Sequence, residues 1–526
     1  MKKIRFITAL IFACAWPEIP SSAHARAHVN LEVDTSRPIH ATDPRFLSFT
    51  IDTALLVGGK WWGETAQKEV APLDFTQPRL KVLARALSPA VFRVGGTAAD
   101  RLYYDFSNAT SKSAPKGFDG VLTANRWDEL YEFSTAAGLD LFFTLNASPA
   151  ARDSEFDWNP AQARALFEHI ADKKQHIPFF ELGNELNAYW LHHGLFNQPS
   201  GERYARDYAR ARSVISDFFG EDSPQLAGPA SVYWPVLGEP LSWLFGILDS
   251  FLESSRTPVE ILTWHYYPTQ SSRCSFGVRR TSAKKMLAPE TLDEIAVWSE
   301  KIRNQRDRLH PDAQLWLGET GPAQCGGEPG VSDRFISGLW WLDHLGMAAK
   351  LGNSVVLRQS LVGADYGMLS SRDFSPNPDF WLSLLWKKLM GEKVLEASAN
   401  EHTRPGNKTH TRVYAHCTAQ SAPEYRPGAV TFLAINTHWN EPSDLELPKE
   451  LTGPALAFSI DSQGPRSKIV RLNGTTLTLA AEDQLPPLEG QAIDPEQTLI
   501  LPPLSAVFIV FQDASAPACQ RINLSN

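Results

Sequence analysis

Hydrophobic positions fall into two regimes along the chain. From about residue 46 to 390, short apolar runs recur between amphipathic stretches. The first four runs are FLSFTID (46–52), AVFRVGG (90–96), LDLFFTLN (139–146) and PFFELGNE (178–185). QLAGPAS (225–231), VEILTWHYY (259–267), AQLWLGE (313–319) and SVVLRQS (354–360) follow. Helical patterns such as PRLKVLARALS, RWDELYEFSTAAG and DRFISGLWWLDHLGMAAKLG lie between them. Near-continuous apolar strands alternating with helices predict a parallel sheet covered on both faces. Eight such units predict an α/β fold, a (β/α)8 TIM barrel over residues 45–392. Over 393–526 the helical period disappears. Alternating segments such as TRVYAHCT, AVTFLAINT, TLTLA and AVFIVFQ, punctuated by Pro, Gly and Asn, predict a C-terminal antiparallel β-sandwich. VNLEVDTS (29–36) alternates in the same way, so residues 26–44 are expected to add an N-terminal strand to that sandwich.

The 526 residues carry 50 basic and 59 acidic side chains, a formal charge of −9, which argues against a nucleic-acid partner. Lys2, Lys3 and Arg5, an apolar stretch from Ile4 to Trp16 and the Ala23-His24-Ala25 triplet read as a signal peptide over 1–25. A secreted or periplasmic chain follows, and no later run is long enough to predict a membrane span. Five cysteines become four once Cys14 leaves, which admits two disulfides in three connectivities. No C-x-x-C spacing suggests a metal site, no Walker-type loop occurs, and RVGGT is too short for a dinucleotide fingerprint. Neither metal nor cofactor is expected.

In such a barrel the chemistry collects at the C-terminal ends of the strands. Those ends supply Asp52, then Gly95-Gly96-Thr97, Asn146 and Asn184-Glu185, and later His265 and Tyr267, Glu319, and Arg358-Gln359. An apolar strand that ends in a carboxylate marks a pocket mouth, because an unpaired acid in a core costs several kcal/mol. Two carboxylates so placed, Glu185 and Glu319, suit glycoside hydrolysis: one holds a proton for the leaving oxygen while the other attacks the anomeric carbon. Asn184 is placed to hold a sugar 2-hydroxyl, and Tyr267 to donate to Glu319. The alternative for each residue alone is a solvated loop acid or a satisfied core aromatic.

ELGNE, TWHYYP, WLGETGPAQCGGEPGVSD and DFWLSLLWKKLMGEKVL, with FLSFTIDTAL, LARALSPAVFRVGGT and LPPLEGQAI, resemble the heparanase-like glycoside hydrolases, family 79. The resemblance runs from about residue 45 to PPLSAVFIVF near the C-terminus. It implies a retaining mechanism with Glu185 as acid/base and Glu319 as nucleophile, acting on β-linked glucuronides. It places Asp52 and Thr97 on the sugar, the Cys325-Gly326 amides and Tyr366 on the uronate carboxylate, and pairs Cys417 with Cys519. Cys274 and Cys325 are then expected to pair or to lie together at the pocket rim. Two departures stand out. Only about 25 residues, SNATSKSAPKGFDGVLTANRWDEL, occupy the place of the long excised linker of animal members, which predicts one uncleaved chain and an open cleft. Tyr366 also sits about one place earlier than in those members.

Three functions compete: an endo-β-glucuronidase on heparan sulfate or a related glycosaminoglycan, an exo-β-glucuronidase, and a non-catalytic carbohydrate-binding protein. Both glutamates are present, which disfavours the third. The loop SSRCSFGVRRTSAKK (271–285) places Arg273, Arg279, Arg280, Lys284 and Lys285 together on an acidic protein. Those arginines are candidates for sulfate contacts, which favours the endo reading; a merely solvated basic loop is the alternative.

Overall fold

Eight parallel strands close into a barrel: Leu47–Asp52, Ala90–Gly95, Leu139–Leu145, Phe179–Leu182, Gln225–Trp234, Ile261–Tyr266, Gln314–Thr320 and Val355–Arg358. Each pairs with its sequence neighbour, and the eighth closes on the first. The computed structural model describes residues 27–520 apart from 63–66, 108–112, 236, 239–240, 276, 402–408, 423–424 and 452. The leader expected at 1–25, with Cys14, lies outside the described residues.

The period of two along each strand builds the barrel in layers. Val91, Phe142, Phe179, Ile261 and Trp316 form one closed apolar cluster, with Trp316 set edge-on against Phe142 and Phe179. Phe92, Phe143 and Phe180, one residue further on, join the separate core against the helices. Two residues beyond the apolar layer the alternation returns inward with Arg93, Thr144 and Glu181, all buried. The barrel is therefore plugged with hydrocarbon below and becomes polar towards the strand ends.

Strand seven breaks this phase. Thr263 pairs with Trp316 and Trp264 with Leu317, but His265 pairs with Glu319, so strand seven holds an extra residue around Gly318. Simple alternation from inward-facing Trp316 would turn Glu319 outward. The bulge instead puts Glu319 opposite inward-facing His265.

The helices obey ordinary end rules. Ala124–Ala137 starts at Thr123, whose hydroxyl accepts from the Arg126 amide, and stops at left-handed Gly138. Phe335–Lys350 is different, being buried almost all round. It lies between the barrel and the second sheet system, where Asp343 accepts from Arg412 Nε at 2.8 Å and from the Tyr414 hydroxyl at 2.6 Å. Its Gly346 faces the Tyr414 ring so closely that a Cβ would stand 2.3 Å from it.

Beyond the barrel the strands form one largely antiparallel sheet folded over itself around Val29, Leu31, Phe432, Leu445, Leu501 and Ile509. The strand Ala27–Asp34 pairs antiparallel with Met390–Glu401, which begins three residues before the expected position. It also pairs parallel with Ser443–Glu446, so the sheet is not antiparallel throughout. Cys417 and Cys519 are bonded across it. Among the described residues no helix is long and apolar enough to cross a membrane.

Candidate active site

Arg93 forms the floor. Its guanidinium, fully buried, donates from Nε to Glu181 Oε2 at 2.9 Å, from Nη1 to Glu319 Oε2 at 3.0 Å and from Nη2 to Asn184 Oδ1 at 2.8 Å. Thr144 adds a hydroxyl to Glu181 Oε2 at 2.9 Å. Arg93 and Glu181 were not among the residues expected from sequence. Their signal was there to read: a charge in the middle of AVFRVGG and another in FFELG, where a buried strand tolerates a charge only with a partner.

The two glutamates have unequal surroundings. Glu319 receives the Tyr267 hydroxyl on Oε1 at 2.7 Å and Arg93 on Oε2, which is how an anionic carboxylate is held. Burial, with the Glu319 charge next, pushes the Tyr267 phenol up, so it remains a donor. Glu185 lies past the end of strand four in a left-handed turn, φ 54° and ψ 50°. Burial first, then the charge of Glu319, raises its carboxyl well above the usual range, and Arg93 only partly opposes this. Oε1 of Glu185 lies 3.2 Å from His265 Nδ1. Burial and Arg93 push the His265 imidazole well below its usual range, so the ring is neutral.

Glu185, His265 and Glu319 bring one donor atom each to within 4.8 Å of one another. Among the described residues this is the one group that could hold a metal ion. The Arg93 guanidinium already lies on Glu319, and its charge opposes a cation there.

Asp52 caps the short helix after strand one by accepting from the Ala54 amide at 2.8 Å. Burial pushes its carboxyl up to about 7, with the charge of Glu319 adding to the effect. Gly96, at φ 86°, lies against it; a Cβ there would stand 2.3 Å from Asp52 Oδ2. Asp100, also outside the expected set, anchors the backbone of the other wall. It accepts from the amides of Ala147 at 2.9 Å and Asn184 at 3.0 Å.

Asp52 and Thr97 open into a cavity of about 730 Å³ that Trp61, Arg101, Phe118, Leu191 and His192 also line. A hairpin, Gly59–Trp62 with Gln67–Val70, bounds one side. The strand pair Leu102–Asp105 and Gly120–Thr123 stands nearby, so the short second loop builds a wall.

Other expected residues divide. Asn184, His265, Tyr267, Glu185 and Glu319 converge. Tyr366 bonds to Gln359, whose amide oxygen accepts from Thr50. Cys325, Gly326 and Gly327 run at φ 60°, 80° and 81°, and the Gly326 carbonyl accepts from the Asp365 amide at 2.8 Å, joining that stretch to the Tyr366 loop. Asn146 shapes its own loop: Nδ2 donates to the Leu102 carbonyl and Oδ1 accepts from the Ser148 amide. Arg358 is equally committed, to Asp379 at 2.6 Å.

The basic loop is likewise less free than its charges suggest. Arg273 pairs with Asp365, Arg279 with Glu294, and Arg280 donates to the Ser271 and Cys274 carbonyls. Lys284 lies over the Trp439 ring at 5.7 Å. Arg273, Arg279 and Arg280, the candidates for sulfate contacts, are thus each held by contacts within the fold. Cys274 and Cys325 are bonded, tying this loop to the one after strand seven.

A closed parallel barrel with two carboxyls in unequal surroundings at its mouth defines a barrel glycoside hydrolase. Residues 28–346 match the glycosyl hydrolase family 79 N-terminal domain, and the chain belongs to that family. It is 31% identical over 536 residues to heparanase of Bos taurus, covering 93% of this chain and 92% of that one. With inactive heparanase-2 of Homo sapiens it shares 29% over 560 residues, covering 93% and 89%. Its fold is similar to that of the GH51 arabinofuranosidase from Xanthomonas axonopodis pv. citri. The TM-score there is 0.65 at 14% identity, covering 92% of this chain and all of that one, which is a likeness of fold alone.

Proposed function

We propose that the chain is a retaining β-glucuronidase, acting as an endo-enzyme on glucuronic acid linkages in heparan sulfate or a related glycosaminoglycan. The carrying observation is that one oxygen of Glu185 and one of Glu319 lie within 4.8 Å of each other in unequal environments. Retaining enzymes hold their two carboxyls about 5–5.5 Å apart, whereas inverting ones need roughly 6.5–9.5 Å to admit a water. Glu319 attacks the anomeric carbon as Glu185 passes its proton to the departing oxygen, leaving a glycosyl ester on Glu319. Glu185, now ionised, takes a proton from the water that cleaves the ester. Asn184 keeps its amide NH2 for the sugar 2-hydroxyl because Arg93 occupies its oxygen. Asp52 and Thr97 contact the sugar, and the Cys325-Gly326 stretch and Tyr366 receive the uronate carboxylate.

A fluorinated glucuronide that arrests the ester should label Glu319; a label on any other residue refutes the assignment. The walled cavity supports a second reading, exo-cleavage of terminal glucuronic acid. Product sizing on heparan sulfate separates the two: a ladder of oligosaccharides for endo-action, monosaccharide alone for exo. Export through residues 1–25 belongs to the same proposal. Sequencing the mature N-terminus tests it, and a chain that keeps Met1 in the cytoplasm refutes it.

A further inference from the structure

Helix Phe335–Lys350 carries a buried imidazole, His344, that the reaction above does not use. Its ring lies nearly parallel to that of Tyr266, with centroids 6.0 Å apart, and stacks on Trp340 at 4.7 Å. Burial, with the Arg358 charge adding to it, pushes the imidazole down to about 3, so the ring is neutral at pH 7. Its Nε2 lies 2.9 Å from the hydroxyl of Thr320, the residue after Glu319. That hydroxyl also donates to the Tyr266 carbonyl at 2.8 Å. A hydroxyl has one proton to donate, so Thr320 accepts from the Nε2–H of His344.

The pair sits just past the bulge of strand seven. Trp264 and His265, consecutive on strand six, match Leu317 and Glu319, while Val356 and Arg358 of strand eight match Leu317 and Thr320. The extra residue therefore stands out against both neighbouring strands. Gly318 has no side chain to fix which way the next residue points. Thr320 supplies that anchor. Successive strand residues face opposite ways, so a Thr320 bonded outward to the helix turns Glu319 inward. The same hydroxyl holds the carbonyl of Tyr266, and the hydroxyl of the following residue, Tyr267, donates to Glu319. Asp343, beside His344, is bonded to Arg412 and Tyr414 of the second sheet, which fixes the rotation of the helix. We propose that His344, acting through Thr320, is a positioning residue that latches the bulge of strand seven and so aims Glu319 into the site. The inference rests on the reading of Glu319 as the nucleophile.

Two readouts on the full-length mature enzyme test this. His344→Phe keeps the ring stack and removes the donor, whereas His344→Gln keeps a donor of similar reach. Phenyl β-glucuronide has a poor leaving group, which keeps formation of the glycosyl ester rate-limiting. On it His344→Phe should lower kcat about thirtyfold and change KM less than about twofold, because a small misplacement of a reacting group costs up to about a hundredfold. His344→Gln should recover most of that loss, and Thr320→Val/His344→Phe should be no worse than Thr320→Val alone. A loss in KM rather than kcat, no recovery in His344→Gln, or losses that multiply in the double variant overturn the assignment. Amide hydrogen exchange over residues 314–321, followed by mass spectrometry, reads the latch without turnover. It should quicken about tenfold in His344→Phe and slow again in His344→Gln. A parent that cleaves no glucuronide yet shows that exchange pattern sinks the glucuronidase reading and upholds the latch. Unchanged exchange in His344→Phe overturns the latch whatever the activity.

Discussion

Arg93 holds two jobs that a double substitution can separate. Its guanidinium bridges Glu181, Glu319 and Asn184 from a fully buried position. Arg93→Met leaves Glu181 buried with only the Thr144 hydroxyl, whereas Glu319 keeps Tyr267. Breaking a buried ion pair by removing one partner costs about 3–5 kcal/mol, mostly from the stranded charge. Replacing both partners with hydrocarbon of similar volume is often near neutral. Arg93→Met/Glu181→Leu should therefore be more stable than Arg93→Met by roughly 2 kcal/mol or more. Turnover should not follow stability. Both variants lack the charge-assisted bonds to Glu319 and Asn184, worth about 1.5–3 kcal/mol each, so kcat stays down by at least about tenfold. Chemical unfolding followed by circular dichroism gives the stabilities, and an aryl β-glucuronide gives kcat. A double variant as unstable as the single one, or activity that returns together with stability, would refute the separation.

Two further outcomes follow from the same geometry. Burial raises Asp52 to about 7 and Asp100 to about 6, so the folded chain binds these protons more tightly than the unfolded one. Their contribution is complete below the ordinary carboxylate range and is lost as pH rises through 6 to 7; at about 1.4 kcal/mol per pKa unit it amounts to several kcal/mol. Thermal unfolding should thus occur lower at pH 7.5 than at pH 5, Asp52→Asn should flatten the difference, and an equally steep profile in that variant would contradict the cause. The disulfides should act differently. Removing Cys417–Cys519, which spans 102 positions, should destabilise by up to about 4–5 kcal/mol. Removing Cys274–Cys325 should raise KM more than it lowers the melting temperature, because it ties two loops at the site; a change in melting temperature alone would count against that role.

The barrel was legible because its signal is long and periodic. Eight apolar runs separated by helical patterns leave little choice of architecture, and each expected run overlaps an observed strand. The second sheet was legible in kind but not in detail. Its strands alternate clearly, yet the parallel pairing of Ala27–Asp34 with Ser443–Glu446 joins segments some 400 residues apart and leaves no local trace. Residues 335–350 show the converse: FISGLWWLDHLGMAAK is apolar on every face because two packing partners share it, and a strip pattern reports only one.

The candidate catalytic carboxyls and the network beneath them were legible to different degrees for a physical reason. A strand-end acid announces itself by interrupting an apolar run, so Glu185 and Glu319 could be named from their positions. Beneath them Arg93 and Glu181 look like blemishes in a hydrophobic strand. The direction of Glu319 depends on less still, one extra residue at Gly318 that reverses the phase of strand seven. Lone charges placed two residues before the mouth of a barrel strand are the transferable signal. Such a charge must be paired across the barrel interior, and here Arg93, paired with Glu181, also donates to Glu319 at the mouth.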